Sequence, residues 1–387
     1  MATENNNKNL NVPNLRFPEF SGEWEKHTLT EYLEFKNGLN PDSKRFGKGV
    51  KFISVMDILN NQYITYDKII SSVDVNDKEL ETYKVNYGDI LFQRSSETFE
   101  DIGMANVYLD RKAAVFGGFV IRGKKIGDYS PLFFRYLLST PFARKSIIVK
   151  GAGAQHFNIG QDGLSKVSLY FPPKIEQQKI SSFLSLLDDR ISTQIKIIED
   201  LKKLKSAIRA KVFKQLESSC ECWTEIGNIL QYEQPSKYLV VSTEYSDSYA
   251  TPVLTANKAF ILGYTDEEFG IYSKGECVIF DDFTMDVKFV NFPFKVKSSA
   301  IKILTANSGN DLYFAYEYLQ NLGLISEEHK RHYISEIEPM TVACPKFEEQ
   351  QNISNLLRSF DNKIEYANRE LVLYGNQKQY FLSQMFI

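Results

Sequence analysis

The chain has 387 residues, 43% of them apolar and 25% charged, with 46 Lys/Arg against 49 Asp/Glu, the proportions of an ordinary soluble globular protein with core enough for two domains. No window approaches 18 uninterrupted apolar residues, which excludes a membrane-spanning helix, and the polar start MATENNNKNLN is unlike a signal peptide. The expected location is the cytoplasm, with residues 1–12 disordered.

Residues 13–171 read as a first globular domain. Trp24 is expected to lead into a short helix. The β-branched and aromatic runs VKFISV (50–55), GDILFQR (88–94) and AVFGGFVIRG (114–123) read as strands of a twisted sheet punctuated by Gly, Asn and Asp turns. A helical pattern follows over 131–148, then the loop GAGAQHFNI (151–159) and a strand over 167–171.

Residues 172–213 recur at 345–386 at a constant offset of 173. Each copy opens on Pro, an acidic residue and two glutamines (Glu176, Gln177, Gln178 and Glu349, Gln350, Gln351) and continues without Pro for about ten turns. Proline and an acidic first turn mark a helix start, because the missing N–H costs nothing there and the carboxylate complements the dipole. In the first copy Ile180, Leu184, Leu187, Ile191, Gln194, Ile198, Leu201, Lys205, Ile208 and Val212 alternate at steps of four and three, a coiled-coil seam. Adding the offset gives Ile353, Leu357, Phe360, Ile364, Ala367, Leu371, Tyr374, Lys378, Phe381 and Met385, so even the lysine is duplicated. Such stripes are expected to bury each other, and the seam from 180 to 212 spans roughly 48 Å at the helical rise. The intervening segment is long enough to leave both orientations open. If the pairing is antiparallel, Lys205 and Lys378 face Phe360 and Leu187 and are expected to snorkel or to mark where the seam opens.

Between the repeats, residues 217–344 restate the first domain loosely: Trp223 matches Trp24, GECVIFDD (275–282) matches GDILFQR, IKILTA (301–306) matches the third strand, and LYFAYEYLQNLG (312–323) matches the helix over 131–148. Residues 217–345 carry 9 Lys/Arg against 19 Asp/Glu, a net of −10 that a self-sufficient DNA binder would not choose.

Reaction motifs are scarce. The phosphate cradle GxxxxGK[ST] and the N-P-P-[FY] signature of adenine methylation are absent. Asp281, Asp282, Asp286 and Lys288 in DDFTMDVK could mimic a metal-dependent nuclease that activates water with Mg²⁺. His329 and His332 lie three apart beside Glu327 and Glu328 without a third ligand in register, and Cys220, Cys222, Cys277 and Cys344 form no CxxC pair; no metal site and reduced thiols are expected.

The start PNLRFPEFSGEW, the paired PPKIEQQKI and PKFEEQQNI segments before long helices and the GDILF-type strands resemble the specificity subunit of type I restriction–modification enzymes across essentially the whole chain. The resemblance implies an α+β fold with an internal pseudo-twofold duplication: target recognition domains at 13–171 and 217–344, separated by long helices at 172–216 and 345–387 that form an antiparallel coiled coil. It implies that each domain reads one half of a bipartite sequence in double-stranded DNA. The helices fix the spacer and dock two modification (methyltransferase) subunits, with restriction (translocase and endonuclease) subunits as further partners. It implies no catalytic residue and no cofactor in this chain, S-adenosylmethionine belonging to the modification subunits and ATP and Mg to the restriction subunits. A metal-dependent nuclease and a coiled-coil protein-binding adaptor are the competing readings.

Base reading favours Arg/Lys for guanine and Asn/Gln for adenine on loops that reach the major groove. The candidates in the first domain are Lys44, Arg45, Lys48, Lys51, Gln93, Arg94, Ser95, Ser96, Gln155, His156 and Asn158, the last three in a loop that matches the family's G-x-G-x-x-x-N-I pattern. In the second they are Lys258, Thr284, Lys288, Lys330, Arg331, His332 and Tyr333. For subunit docking the resemblance points to Glu176, Gln177, Gln178, Glu349, Gln350 and Gln351 and to the outer helix faces, with helix capping as the plainer role.

Overall fold

A computed structural model describes residues 11–151, 153, 157–255, 260–326 and 331–387. The chain divides into two compact units, residues 1–194 with 370–387 and residues 195–369, so that each unit combines one globular domain with part of both long helices. The helices themselves run Lys174–Ser219 and Phe347–Gln384.

In the first unit the strand Glu25–Thr28 pairs with Ser168–Phe171 and so ties the start of the domain to the strand that feeds the first long helix. Trp24 therefore opens a strand and a one-turn 3₁₀ segment (Leu29–Glu31), not the expected helix. It is buried edge-on against Phe133 and Phe386. A four-stranded antiparallel sheet runs in the order Leu33–Asn37, Val120–Lys125, Ile90–Gln93, Ala105–Val107. Beside it Ser72–Val73, Phe46–Ile53 and Val115–Phe116 form a three-stranded sheet whose last pair is parallel.

Strand alternation divides the core into two. Ile90 and Phe92 face Phe133, Phe134 and Leu137 together with Ile180 and Leu184 of the first long helix and Leu382 and Met385 of the second, whereas Leu91 faces Ile53, Phe116 and Val120. The helical pattern over 131–148 resolves into two helices, Pro131–Ser139 and Pro141–Ile148. Pro141 cannot donate back to the preceding turn, and Thr140 caps the second helix through Ala143.

The second unit repeats these three sheets strand for strand. Trp223–Glu225 pairs with Thr341–Ala343. The four-stranded sheet runs Leu230–Glu233, Ile301–Ala306, Cys277–Asp281, Val287–Val290, and the three-stranded one Ile261–Thr265, Thr251–Leu254, Lys295–Val296, again with a parallel last pair. Val278 and Phe280 face Phe314, Tyr318, Phe213, Ile353 and Leu357; Ile279 faces Leu254 and Val296. The match of Trp223 to Trp24 holds in position and not in role, since Trp223 is half exposed and donates to the Cys220 carbonyl.

Within each unit the helices pack antiparallel. Phe183 meets Phe381 edge-on, Arg190 lies over Tyr374 and Gln194 Nε2 donates to Glu370 in the first unit, while the end of the first helix (Phe213, Leu216) shares a core with the start of the second (Ile353, Leu357) in the other.

The duplicated lysines correct the expectation placed on them. Lys378 neither snorkels nor opens the seam: it forms an ion pair with buried Asp188, which also accepts from Tyr136 Oη at 2.7 Å. Lys205, 9% exposed, pairs with Asp361 at 2.6 Å and with fully buried Glu317 at 2.6 Å, and Tyr313 Oη donates to Asp361. Asp188 and Asp361 are themselves related by the offset of 173 and sit one residue after Leu187 and Phe360. The register was legible, but the side chains turn to the neighbouring carboxylate. Burial, and then the adjoining carboxylate, hold both tyrosine hydroxyls far above their ordinary range.

Candidate DNA-reading face

In the first unit the strand Ile90–Gln93 carries its chain on into Ser95–Ser96, which pairs antiparallel with Phe157–Asn158. Ser95 Oγ donates to Asn158 Oδ1, and Arg94 accepts from the Ile159 N–H at 2.9 Å. Four sequence candidates thus meet: Gln93, Ser95, Ser96 and Asn158 line one open cleft of about 750 Å³ with Glu97, Thr98, Asp101, Met56, Leu59 and Phe119. Gln93 forms the floor; its Nε2 donates to the Ser95 carbonyl at 2.9 Å, and its Oε1, closed to solvent, has no hydrogen-bond partner among the described residues. Arg94 borders the same place, its N–H bonded to the Phe119 carbonyl at 2.9 Å and its guanidinium to the Gly118 carbonyl at 3.3 Å. Gln155 and His156 lie outside the described residues.

The basic candidates on the neighbouring strand differ in availability. Lys44 is exposed, and Lys48 pairs loosely with exposed Asp74 at 2.9 Å. Arg45 is tied to Glu79 by two hydrogen bonds and to the Asp74 carbonyl, which raises its pKa and holds the Glu79 carboxyl below the usual range. Lys51 donates to the Ile69 carbonyl at 2.6 Å. Arg45 and Lys51 brace the strand, which leaves Lys44 and Lys48 as the exposed cations of this group.

In the second unit His332 and Tyr333 are core residues, contrary to their place among the base-reading candidates. Their N–H groups donate to Asp282 Oδ1 at 3.0 and 2.8 Å, His332 is 2% exposed, and Tyr333 packs edge-on against Tyr232 and Phe280. Arg331 and Thr284 are exposed, while Lys288 is half exposed and paired with Asp286 at 2.9 Å. Lys258 and Lys330 lie outside the described residues.

The same contacts dispose of the nuclease constellation. Asp281 Oδ1 caps the hairpin turn by accepting from the Phe283 and Thr284 N–H groups; Asp282 holds the segment at 332–333 and faces buried Lys302 at 3.5 Å. Both carboxylates are buried in structural roles, so neither is presented to a metal and water. Of the metal-binding pair only His332 is described, and His329 lies outside the described residues.

The opening residues of the long helices divide by burial. Glu176 is fully buried, takes two 2.7 Å hydrogen bonds from Arg16 and faces the Trp24 indole. Gln177 accepts from the Ser130 N–H at 3.0 Å and donates to the Pro172 carbonyl at 2.9 Å; at the offset of 173, Gln350 accepts from the Asp311 N–H at 2.8 Å and donates to the Pro345 carbonyl at 2.9 Å. The repeated glutamine is therefore a duplicated clamp between the helix start and the domain it carries. Contrary to the docking assignment, Glu176, Gln177 and Gln350 face inward, and of the six only Gln178, Glu349 and Gln351 are exposed.

Residues that the sequence candidates omitted are apolar. Phe119, Met56 and Leu59 are exposed on the cleft, and the signal available was the pair of glycines before Phe119 in an otherwise strand-like run. Thiols follow burial as well. Burial pushes Cys277 up to about 12, whereas Cys222 is exposed. An aromatic disulfide reagent at pH 8 is therefore expected to label Cys222 quickly and Cys277 only on unfolding, as read by peptide mass spectrometry.

Two copies of one α+β topology, each clamped by the same glutamine to its own long helix, define an internally duplicated domain-and-helix protein. The type I restriction modification DNA specificity domain matches residues 21–203 and 223–372, and the chain belongs to that family, with the domain present twice. It is 41% identical over 176 residues to the EcoR124I/EcoR124II specificity subunit of Escherichia coli, a match spanning 42% of this chain and 44% of that relative. It is 25% identical to the putative type I restriction enzyme MjaX specificity subunit of Methanocaldococcus jannaschii, over 94% of this chain and 92% of the relative. The fold is similar to that of the S subunit of a type I restriction–modification system from M. genitalium, with a TM-score of 0.60 at 16% identity over 97% of this chain and 99% of the other. A second solved chain, from a study of complex assembly and conformational transition of the type I system, gives 0.58 at 12% identity over 94% and 97%.

Proposed function

We propose that this chain is the DNA-recognition subunit of a type I restriction–modification complex, each globular domain reading one half of a bipartite target in double-stranded DNA. The observation that carries this reading is the duplication: one topology built twice, each copy fixed by Gln177 or Gln350 to an equivalent helix, is the arrangement a two-part target calls for. The chain supplies no chemistry of its own. Methyl transfer from S-adenosylmethionine belongs to two modification subunits that dock on the outer faces of the long helices and on Gln178, Glu349 and Gln351, and ATP- and Mg-dependent translocation and cleavage belong to restriction subunits. Its place is the cytoplasm, where its DNA is; among the described residues no helix is long and apolar enough to cross a membrane.

The acidic balance of residues 217–345 fits such a complex, because the modification subunits can supply the phosphate neutralisation this domain lacks. The chain alone is then expected to bind its duplex more weakly, and with a shallower salt slope, than the assembled complex; equal affinity and slope would refute the shared-clamp reading.

The test of the function is the methylome of the host with and without this gene. Loss of one bipartite adenine-methylated motif on deletion is the expected result, and an unchanged methylome overturns the proposal. Within it, Arg94→Ala is expected to alter recognition of the first half-site alone. A motif unchanged in both halves removes Arg94 from the reading face.

A further inference from the structure

We propose that Phe119, with Met56 beside it, is a specificity-determining contact that reads the C5-methyl of a thymine in the first half-site; this rests on the DNA-reading role above. Phe119 is 68% exposed, the highest of the domain's aromatic residues, and Met56 60% and Leu59 42% join it, three large apolar side chains gathered on one cleft. Clustered exposed apolar surface marks a contact site, whereas scattered single residues need no explanation.

The side chain is displayed rigidly. Gly117, two residues before it, packs closely against the sheet beside it, since a Cβ there would lie 2.8 Å from the Phe52 ring. The turn is closed by Val120 N–H to the Gly117 carbonyl and held from the other side by Arg94 N–H to the Phe119 carbonyl, both at 2.9 Å. A preorganised aromatic tip loses little conformational freedom on binding.

The surroundings select the occupant. Ser95, Ser96 and Asn158 share the cleft with Phe119, placing hydrogen-bonding groups beside the apolar tip, as a base-pair edge requires. Glu97 and Asp101 on the same rim repel phosphate, so the backbone passes elsewhere. The exposed cations Lys44 and Lys48 flank Phe46, which with Phe52, Met56 and Phe119 lines the continuation of the cleft. Acceptors and apolar atoms in the middle with cations at one side match a T·A edge whose phosphates lie on the basic strand; a T methyl is read by apolar contact.

The second domain has no such tip at the equivalent place. Val120–Lys125 corresponds to Ile301–Ala306, and the residue preceding it there is Ala300, 5% exposed. The effect is therefore confined to one half-site.

The complete complex with its modification subunits is tested against a set of target duplexes in which each thymine in turn is replaced by uracil, which lacks only the methyl group. One uracil in the first half-site is expected to weaken binding by the wild-type complex about fourfold, the worth of one methyl removed from water. Phe119→Ala, which the exposure of the side chain makes harmless to folding, is expected to bind the thymine duplex about fourfold more weakly and to be indifferent to that uracil, while methylome sequencing shows relaxation at that single position. Met56→Ala is expected to give a smaller loss at the same thymine. Phe119→Ala with an unchanged motif and an unchanged uracil response overturns the proposal. So does failure of Phe119→Ala to assemble with the modification subunits, which would make the cleft a protein-docking surface. A wild-type complex that methylates no bipartite motif refutes the DNA-reading role itself.

Discussion

Lys205→Met is expected to destabilise the unit of residues 195–369 by about 3 kcal/mol, although methionine fills nearly the same volume. Lys205 ion-pairs with Glu317 and Asp361 at 2.6 Å and lies 3.2 Å from Tyr313 Oη. Asp361 is 44% exposed at its side chain and can recover water, but Glu317 is fully buried and keeps Arg209, at 3.2 Å, as its cation. Removing one partner of a buried pair costs about 3–5 kcal/mol because the remaining charge stays desolvated, and the exposure of Asp361 places the expected loss at the lower end. Chemical denaturation followed by circular dichroism measures it. Lys205→Met/Glu317→Gln, which also removes the stranded charge, is expected to recover much of the loss. A cost below about 1 kcal/mol, that of a surface pair, would show that the cluster is solvated.

The sequence revealed what periodicity encodes. Steps of four and three give the helical seam, and every seam position is buried or half-buried in the structure. The matched GDILF and GECVIF runs occupy the same place in equivalent four-stranded sheets. What it did not reveal depends on distant partners. Glu176 reads as a helix-start carboxylate until Arg16, 160 residues earlier, is found to bind it. His332 and Tyr333 read as polar loop residues until Asp282, some 50 residues earlier, claims their N–H groups. The heptad rule assigns each lysine an apolar neighbour and cannot see that the adjoining aspartate, itself off the seam in sequence, turns inward to pair with it. A search for donors and acceptors likewise passes over Phe119, because an apolar contact has no polar signature.

Adding seven residues to the first long helix is expected to change the target in one respect only: the number of unread base pairs between the two halves. Each domain is fixed to its own helix start by a glutamine clamp, Gln177 at Ser130 and Pro172, Gln350 at Asp311 and Pro345, far from the helix middle near Gln194. An insertion there leaves both clamps intact and one heptad returns the seam to its own face, while a matched heptad in the second helix also keeps Asp188 with Lys378 and Lys205 with Asp361. About 10 Å of added helix corresponds to at most about three base pairs of duplex rise. Because the partner helix is unchanged, a matched heptad near Glu370 is expected to restore any stability lost by the single insertion, whereas five residues in one helix alone rotate the following seam positions by about 140° and turn them away from their partners. Methylome sequencing of strains carrying the wild type and the single and matched insertions reads the outcome. Unchanged half-sites with a longer spacer are expected. A spacer that keeps its length in both insertions would show that the helices do not set it, and altered half-sites would show that the clamps do not isolate the domains from the helix middle.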